Sequence, residues 1–190
     1  MLSLHNTHRI LHKYSQVIQT GLYGIKEGLS YPNQFEHIKM LLYMNPLPNP
    51  MKYKLDTIPF DLMKDPITHI PLIENTELNI RTKMIVWKPG AELGTHYHGS
   101  DDCFFQPMYP EMIQTIWEDR TMPITTLVHT HKYSYISDAI GPHSMMNTHK
   151  YDHRSNVSFH LYIGEDFYDE GEMRPRFTRH STSGSVKTLR

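Results

Sequence analysis

The chain has 190 residues, 21% of them charged, with a formal net charge of −1 and an isoelectric point near 6.9. That balance provides no overall field for nucleic acid or an anionic membrane. A mean hydropathy of −0.53, with no apolar run near the roughly 18 residues of a membrane span, argues against transmembrane helices.

A single cysteine leaves no intrachain disulfide, and residues 1–9 lack the apolar core of a signal peptide; together these predict a reducing, cytoplasmic setting. A chain of this length suits one domain with small appendages, burying roughly 70% of its unfolded surface. Ile10, Leu11, Tyr14, Val17 and Ile18 follow helical spacing, with Asn6 or Thr7 as the N-cap and Gly21 as the stop. Phe35, Ile38, Leu41 and Leu42 predict a second helix, with Pro32 in its first turn and Asn45-Pro46 at its end. Residues 1–45 thus read as a helical N-terminal segment, and Pro46, Pro48 and Pro50 as a stiff connector. From about residue 70 the pattern turns to strands: 78–87, stopped by Lys88-Pro89-Gly90, then 103–108, 112–118, 125–130, 133–137 and 157–163. Short strands at this spacing predict an all-β sandwich or small barrel over 46–171. After Gly171 come Arg174, Arg176, Arg179, Lys187 and Arg190 against Glu172, which predicts a disordered basic tail over 172–190.

The chemistry-bearing stretch is Gly90-x5-His96-Tyr97-His98, with Cys103 five residues on. On an extended segment, His96 and His98 point to one face and reach one metal ion. A third imidazole, His143, lies in Gly141-Pro142-His143-Ser144-Met145-Met146-Asn147. Three neutral imidazoles without a carboxylate suit a divalent first-row metal and leave coordination positions open. The chain holds 14 histidines. His5, His8, His12, His37 and His180 lack a partner at ligand spacing, and His129-Thr130-His131, His149 and His153 read as surface. In 157–163, Val157, Phe159, Leu161 and Ile163 alternate with Ser158, His160 and Tyr162. One face is therefore apolar, and the other carries a hydroxyl, an imidazole and a phenol in a row able to pass a hydrogen bond. Cys103 taken alone reads as a small buried hydrophobe.

The two histidine segments resemble the paired motifs of the cupin superfamily, and in particular the cysteine dioxygenase branch of thiol dioxygenases. Trp87, nine residues before His96, matches that branch's tryptophan, and Cys103 stands where most cupins place a glutamate. Tyr135-Ile136-Ser137-Asp138-Ala139-Ile140-Gly141-Pro142-His143 and Ser158-Phe159-His160-Leu161-Tyr162 also resemble its segments, so the likeness covers about residues 68 to 165.

The resemblance implies a cupin-type small β-barrel with a helical N-terminal segment, and Fe(II) held by His96, His98 and His143. It implies oxidation of a small thiol by O2, most closely L-cysteine to cysteine sulfinic acid. Tyr162 would orient the reactants through Ser158 and His160, and Cys103 would fix Tyr162 through a Cys103–Tyr162 thioether. The expected partners are the thiol and O2, with no nucleic acid, no membrane and a monomeric chain. Dioxygenation of 3-mercaptopropionate or cysteamine is the alternative within the same chemistry; an isomerase-type or non-catalytic metal-binding cupin is the alternative outside it. One departure bears on substrate choice. The branch's carboxylate-binding arginine falls at Ile70 when counted back from Trp87, leaving His69, Arg81 and Lys83 as substitutes on faces the sequence does not fix.

Overall fold

A computed structural model describes residues 4–26, 31–47, 64–98, 102–109, 111–118, 122–129, 132–137, 140–148 and 155–164. The expected basic tail, most of the proline connector, and His149 and His153 lie outside the described residues. Two helices, α1 (Leu4–Lys26) and α2 (Tyr31–Met44), precede nine strands. These are β1 (Ile67–Asn75), β2 (Ile80–Trp87), β3 (Glu92–His96), β4 (Asp102–Tyr109), β5 (Met112–Glu118), β6 (Met122–Val128), β7 (Ser134–Ile136), β8 (His143–Asn147) and β9 (Asn156–Ile163). Five form one antiparallel sheet in the order β1-β2-β9-β4-β7, and four form a second in the order β3-β8-β5-β6. The fold is the all-β arrangement with N-terminal helices that the sequence leads one to expect, built as two antiparallel sheets.

The helices differ from expectation in their limits. Helix α1 begins at Leu4, so Asn6 and Thr7 lie inside it instead of capping it, and it runs through Gly21. The buried stripe is Leu11, Tyr14, Ile18 and Leu22, whereas Val17 is exposed. Gly21 is no stop, because it sits where α2 crosses. A Cβ there would enter the Leu41 side chain, so the glycine permits close helix approach. Helix α2 ends as expected: the Asn45 backbone and side-chain N–H groups both donate to the Leu41 carbonyl, at 3.0 and 2.9 Å, and Pro46 follows.

Among the strands, β1, β3 and β8 were not in the periodicity reading, and β6 starts at Met122, not at 125. Strand β1 contains Pro71 and a register shift between Pro71 and Ile73. Strand β3 is short and holds Gly94, with its own register shift between Leu93 and His96. Bulges of this kind break the strict two-residue period on which strand reading depends.

Strand β9 lies in the middle of the first sheet, and its two faces serve different layers. Phe159 and Leu161 join Met84, Val86 and Phe104 in a core roofed by Leu11, Tyr14 and Ile18 of α1 and by Ile38 and Leu42 of α2. The opposite face looks toward the second sheet. There Ile85, Trp87 and Phe105 pack with Met112, Val128 and Met145. The faces expected to be apolar and polar are therefore both buried, which a central strand between two layers requires.

Candidate metal centre

The two histidine segments meet because β3 and β8 are neighbours. His96 and His143 are direct cross-strand partners, so their Cβ atoms begin only about 5 Å apart. His96 is the last residue of β3 and His98 lies two residues beyond it. The pair therefore does not share one regular strand as expected, yet both rings converge. Two turns set up this approach. Gly90 takes a φ of 68° in the turn where the Ala91 N–H donates to the Lys88 carbonyl at 3.0 Å, and Gly141 takes a φ of 141° two residues before His143. Only glycine adopts such values without strain. Asn147 at the end of β8 donates from Nδ2 to the Lys88 carbonyl at 2.9 Å, and its backbone N–H donates to Ala91. One buried amide thus ties the second histidine segment to the turn that launches the first.

The ring nitrogens of His96, His98 and His143 lie within 4.8 Å of one another. His143 Nε2 is 3.2 Å from Nε2 of both His96 and His98. The proton count on these rings decides what the cluster can hold. His96 Nδ1 is 2.8 Å from the Gly94 carbonyl, which only accepts, so that nitrogen carries the hydrogen and Nε2 presents a lone pair. His143 Nδ1 lies 2.8 Å from Nε2 of the Gln114 amide on β5, whose Oε1 accepts from the Ser134 hydroxyl. In this orientation the amide nitrogen donates to His143 Nδ1; turned end for end, its carbonyl would accept from Nδ1–H and leave His143 Nε2 a lone pair for a metal. The lone pairs of His96 and His143 would then face each other and repel unless a cation lay between them. Imidazole nitrogens about 2.0–2.1 Å from one ion, at tetrahedral or octahedral angles, stand about 2.8–3.4 Å apart, and both 3.2 Å separations fall in that span. The residues therefore fit a divalent metal with open positions. His98 and His143 are buried and His96 is half-buried, which gives the site one accessible side.

The row expected on β9 is present. Trp87 Nε1–H donates to Ser158 Oγ at 2.8 Å, and Ser158 Oγ lies 2.9 Å from His160 Nε2. His160 Nδ1 is 3.5 Å from Tyr162 Oη, a long contact. An indole nitrogen can only donate, so Ser158 Oγ accepts there and keeps its own hydrogen to give. With that hydrogen donated to His160 Nε2, the imidazole N–H stands on Nδ1, facing Tyr162. The phenol hydrogen is then left to point onward. His160 stacks on Phe105 at 5.5 Å between centroids, and Tyr162 lies 5.6 Å from the ring of His98. The row therefore ends beside the histidine cluster.

Cys103 and Tyr162 are direct cross-strand partners on β4 and β9. Both are buried, and with Ile136 they form one small cluster. Gln114 was not among the expected site residues, whereas Arg81 and Lys83 of β2 were expected only as substitutes for the missing arginine, on faces left open. Gln114 had a visible signal, a polar residue between Met112 and Ile116 on an alternating strand, but its partner depends on β5 lying next to β8. His129, expected at the surface, is exposed and pairs there with Glu111 at 2.6 Å.

No protein-family model matches the sequence, and no curated protein sequence matches it. Solved structures that it is similar to include oxalate oxidase in complex with the substrate analogue glycolate, at 12% identity and a TM-score of 0.46, covering 55% of this chain and 54% of that one. A Cupin_2 domain of an XRE-family transcriptional regulator from Enterobacter cloacae is similar at 16% identity and a TM-score of 0.42, covering 52% of this chain and 97% of that one. A cupin domain from Bordetella pertussis Tohama I follows at 19% and 0.40, covering 53% and 97%. The chain spans about half the length of the oxalate oxidase structures that it matches.

Proposed function

We propose that this chain is a non-haem iron thiol dioxygenase that converts a small thiol, with L-cysteine as the leading case, to its sulfinic acid. The observation that carries the reading is the placement of Cys103 opposite Tyr162, with Tyr162 beside the imidazole cluster. An isomerase-type or purely structural metal site has no use for a buried thiol against a phenol whose hydrogen is aimed by a serine–histidine row.

Fe(II) held by His96, His98 and His143 supplies open positions for the thiolate and O2 and the redox chemistry that delivers both oxygen atoms to sulfur. The protein's own residues position the reactants. The Gly94 carbonyl holds His96 in the tautomer that turns an Nε2 lone pair inward, and Gln114, with its amide turned carbonyl-first, would hold His143 likewise. Trp87, Ser158 and His160 orient the Tyr162 hydroxyl as a donor toward the site. Phe105 and Ile85, cross-strand partners of His160 and Ser158 on the same face, flank the row and exclude water. Oxidative coupling of Cys103 to Tyr162 removes one hydrogen from sulfur and one from a ring carbon, with O2 as the oxidant. The resulting thioether fixes the ring.

Oxygen uptake by the iron-loaded protein over L-cysteine, 3-mercaptopropionate and cysteamine, with mass spectrometry of the product, tests the proposal. The expected product is heavier than the thiol by both atoms of labelled O2. Absence of uptake with all three thiols in iron-replete protein overturns the enzyme reading and leaves the non-catalytic cupin.

A further inference from the structure

Between α2 and the strands β4 and β7 lies a cavity of about 560 Å³, a size that suits a small organic molecule. Phe104 of β4 and Tyr135 of β7 are cross-strand partners in its wall, with ring centroids 5.0 Å apart. Phe35 of α2 packs against both, at 5.7 and 4.8 Å. Tyr43 and Tyr133 bring two further rings to the lining, and Leu42 and Pro46 complete its apolar part. Phe104 belongs to the core under the helices, whereas its chain neighbours Cys103 and Phe105 pack on the other side of the sheet. The thickness of the sheet therefore separates this cavity from the imidazole cluster.

We infer that this cavity is a second binding site, which takes a planar aromatic acid with its ring among Phe104, Tyr133 and Tyr135 and its acid group toward Lys132. The lining defines that chemistry. Its two buried-edge phenols have no hydrogen to offer a ligand, since Tyr133 donates to Tyr14 and Tyr135 donates to the buried carboxylate of Asp102. A sugar or nucleoside would leave its hydroxyls unmatched there, whereas a flat ring gains contacts with aromatic neighbours on several sides. The charged groups of the lining are both ammonium groups, Lys39 and Lys132, and no carboxylate lines it. Lys39 is held by Glu36 at 2.8 Å and lies over the Phe35 ring at 5.0 Å. Lys132 is exposed, and no carboxylate stands within ion-pair distance of it among the described residues. Tyr43, 83% exposed at the rim, supplies a ring that a ligand would cover. The site is independent of the metal and of the thiol chemistry.

The test is equilibrium dialysis of the full, Zn(II)-loaded chain against 2-naphthoate, its neutral amide and its fully saturated analogue, which keeps the charge and loses the flat rings. Naphthoate is expected to bind about threefold to fivefold more tightly than the amide, as an exposed ion pair allows, and about fivefold more tightly than the saturated acid. In Lys132→Met the preference for the acid over the amide should vanish with the amide affinity unchanged. Tyr43→Ala should weaken both naphthyl ligands by about fivefold. Both side chains are exposed, so neither change threatens the fold. His143→Ala, which dismantles the imidazole cluster, should bind naphthoate as the parent does. Loss of binding in that variant, with the circular dichroism unchanged, puts the acid on the metal and overturns the site; if the variant does not fold, Lys132→Met decides. Naphthoate left unbound at millimolar concentration, an acid preference that survives Lys132→Met, or a saturated acid bound as tightly as naphthoate each overturns the proposal as well. None of these results bears on the thiol reading.

Discussion

Gln114 holds the orientation of His143, and its effect on the site exceeds its size. A ligand imidazole whose distal N–H has lost its acceptor is free to rotate and to change tautomer, which typically costs 10–100-fold in metal affinity. Gln114→Leu should therefore weaken Co(II) or Zn(II) binding by about 10–100-fold in competition with a chromophoric chelator, with the circular dichroism unchanged. His143→Ala should remove stoichiometric metal altogether, and full metal content in that variant would sink the ligand assignment. At this scale the three clustered histidines were legible because spacing and neighbouring glycines announce them. Gln114 was not, and the faces of Arg81 and Lys83 stayed open, because a side chain's face is set by which strands become neighbours and where a bulge falls. The shift between Pro71 and Ile73 sits in the strand that carries Ile70 and His69.

Two elements, α1 and the segment around β7, meet through a pair of phenols. Tyr14 Oη donates to the Asn45 carbonyl at 2.7 Å, so the hydrogen between Tyr14 and Tyr133 comes from Tyr133. Burial pushes the Tyr14 phenol from 10.0 to about 12, against a smaller lowering by Tyr133, and burial with the nearby Tyr14 pushes Tyr133 well above 10.0. Both phenols are acids that the fold keeps neutral, so their contribution is complete below pH 10 and is lost as pH rises toward 12. A tyrosinate titration followed at 295 nm should show these two groups ionising only as the helical layer opens. Tyr14→Phe should flatten the loss of stability in that window. Gly21, further along α1, tests the same layer where α2 crosses. Gly21→Val should cost about 1–3 kcal/mol by overpacking against Leu41, measurable by urea unfolding. The stripe of α1 was legible from its period. Its length was not, since a glycine inside a helix and one past its end look alike until the neighbouring helix is placed.

For the whole molecule, β9 is where stability and chemistry share one strand. Phe159 faces the helices and lies edge-on to Tyr14 at 5.1 Å, whereas Ser158 and His160 face the site. Phe159→Ala should destabilise the chain by about 3–5 kcal/mol and loosen helices and sheet together, seen as one cooperative transition at lower temperature. The alternation of 157–163 made both faces legible. It did not reveal that the second face is also buried, because that depends on a second sheet built from strands too short or irregular to recognise. The Cys103–Tyr162 register has a further consequence. A bond there would join β4 to β9 across roughly 60 residues of chain, and closing such a loop restricts the unfolded ensemble by about 4 kcal/mol. For a chain of this size that corresponds to a rise on the order of 10 °C in melting temperature. A calorimetric scan of a mixed preparation should then resolve into two transitions, the upper one absent in Cys103→Ser. The heat resistance of each molecule would be a record of whether it has already worked.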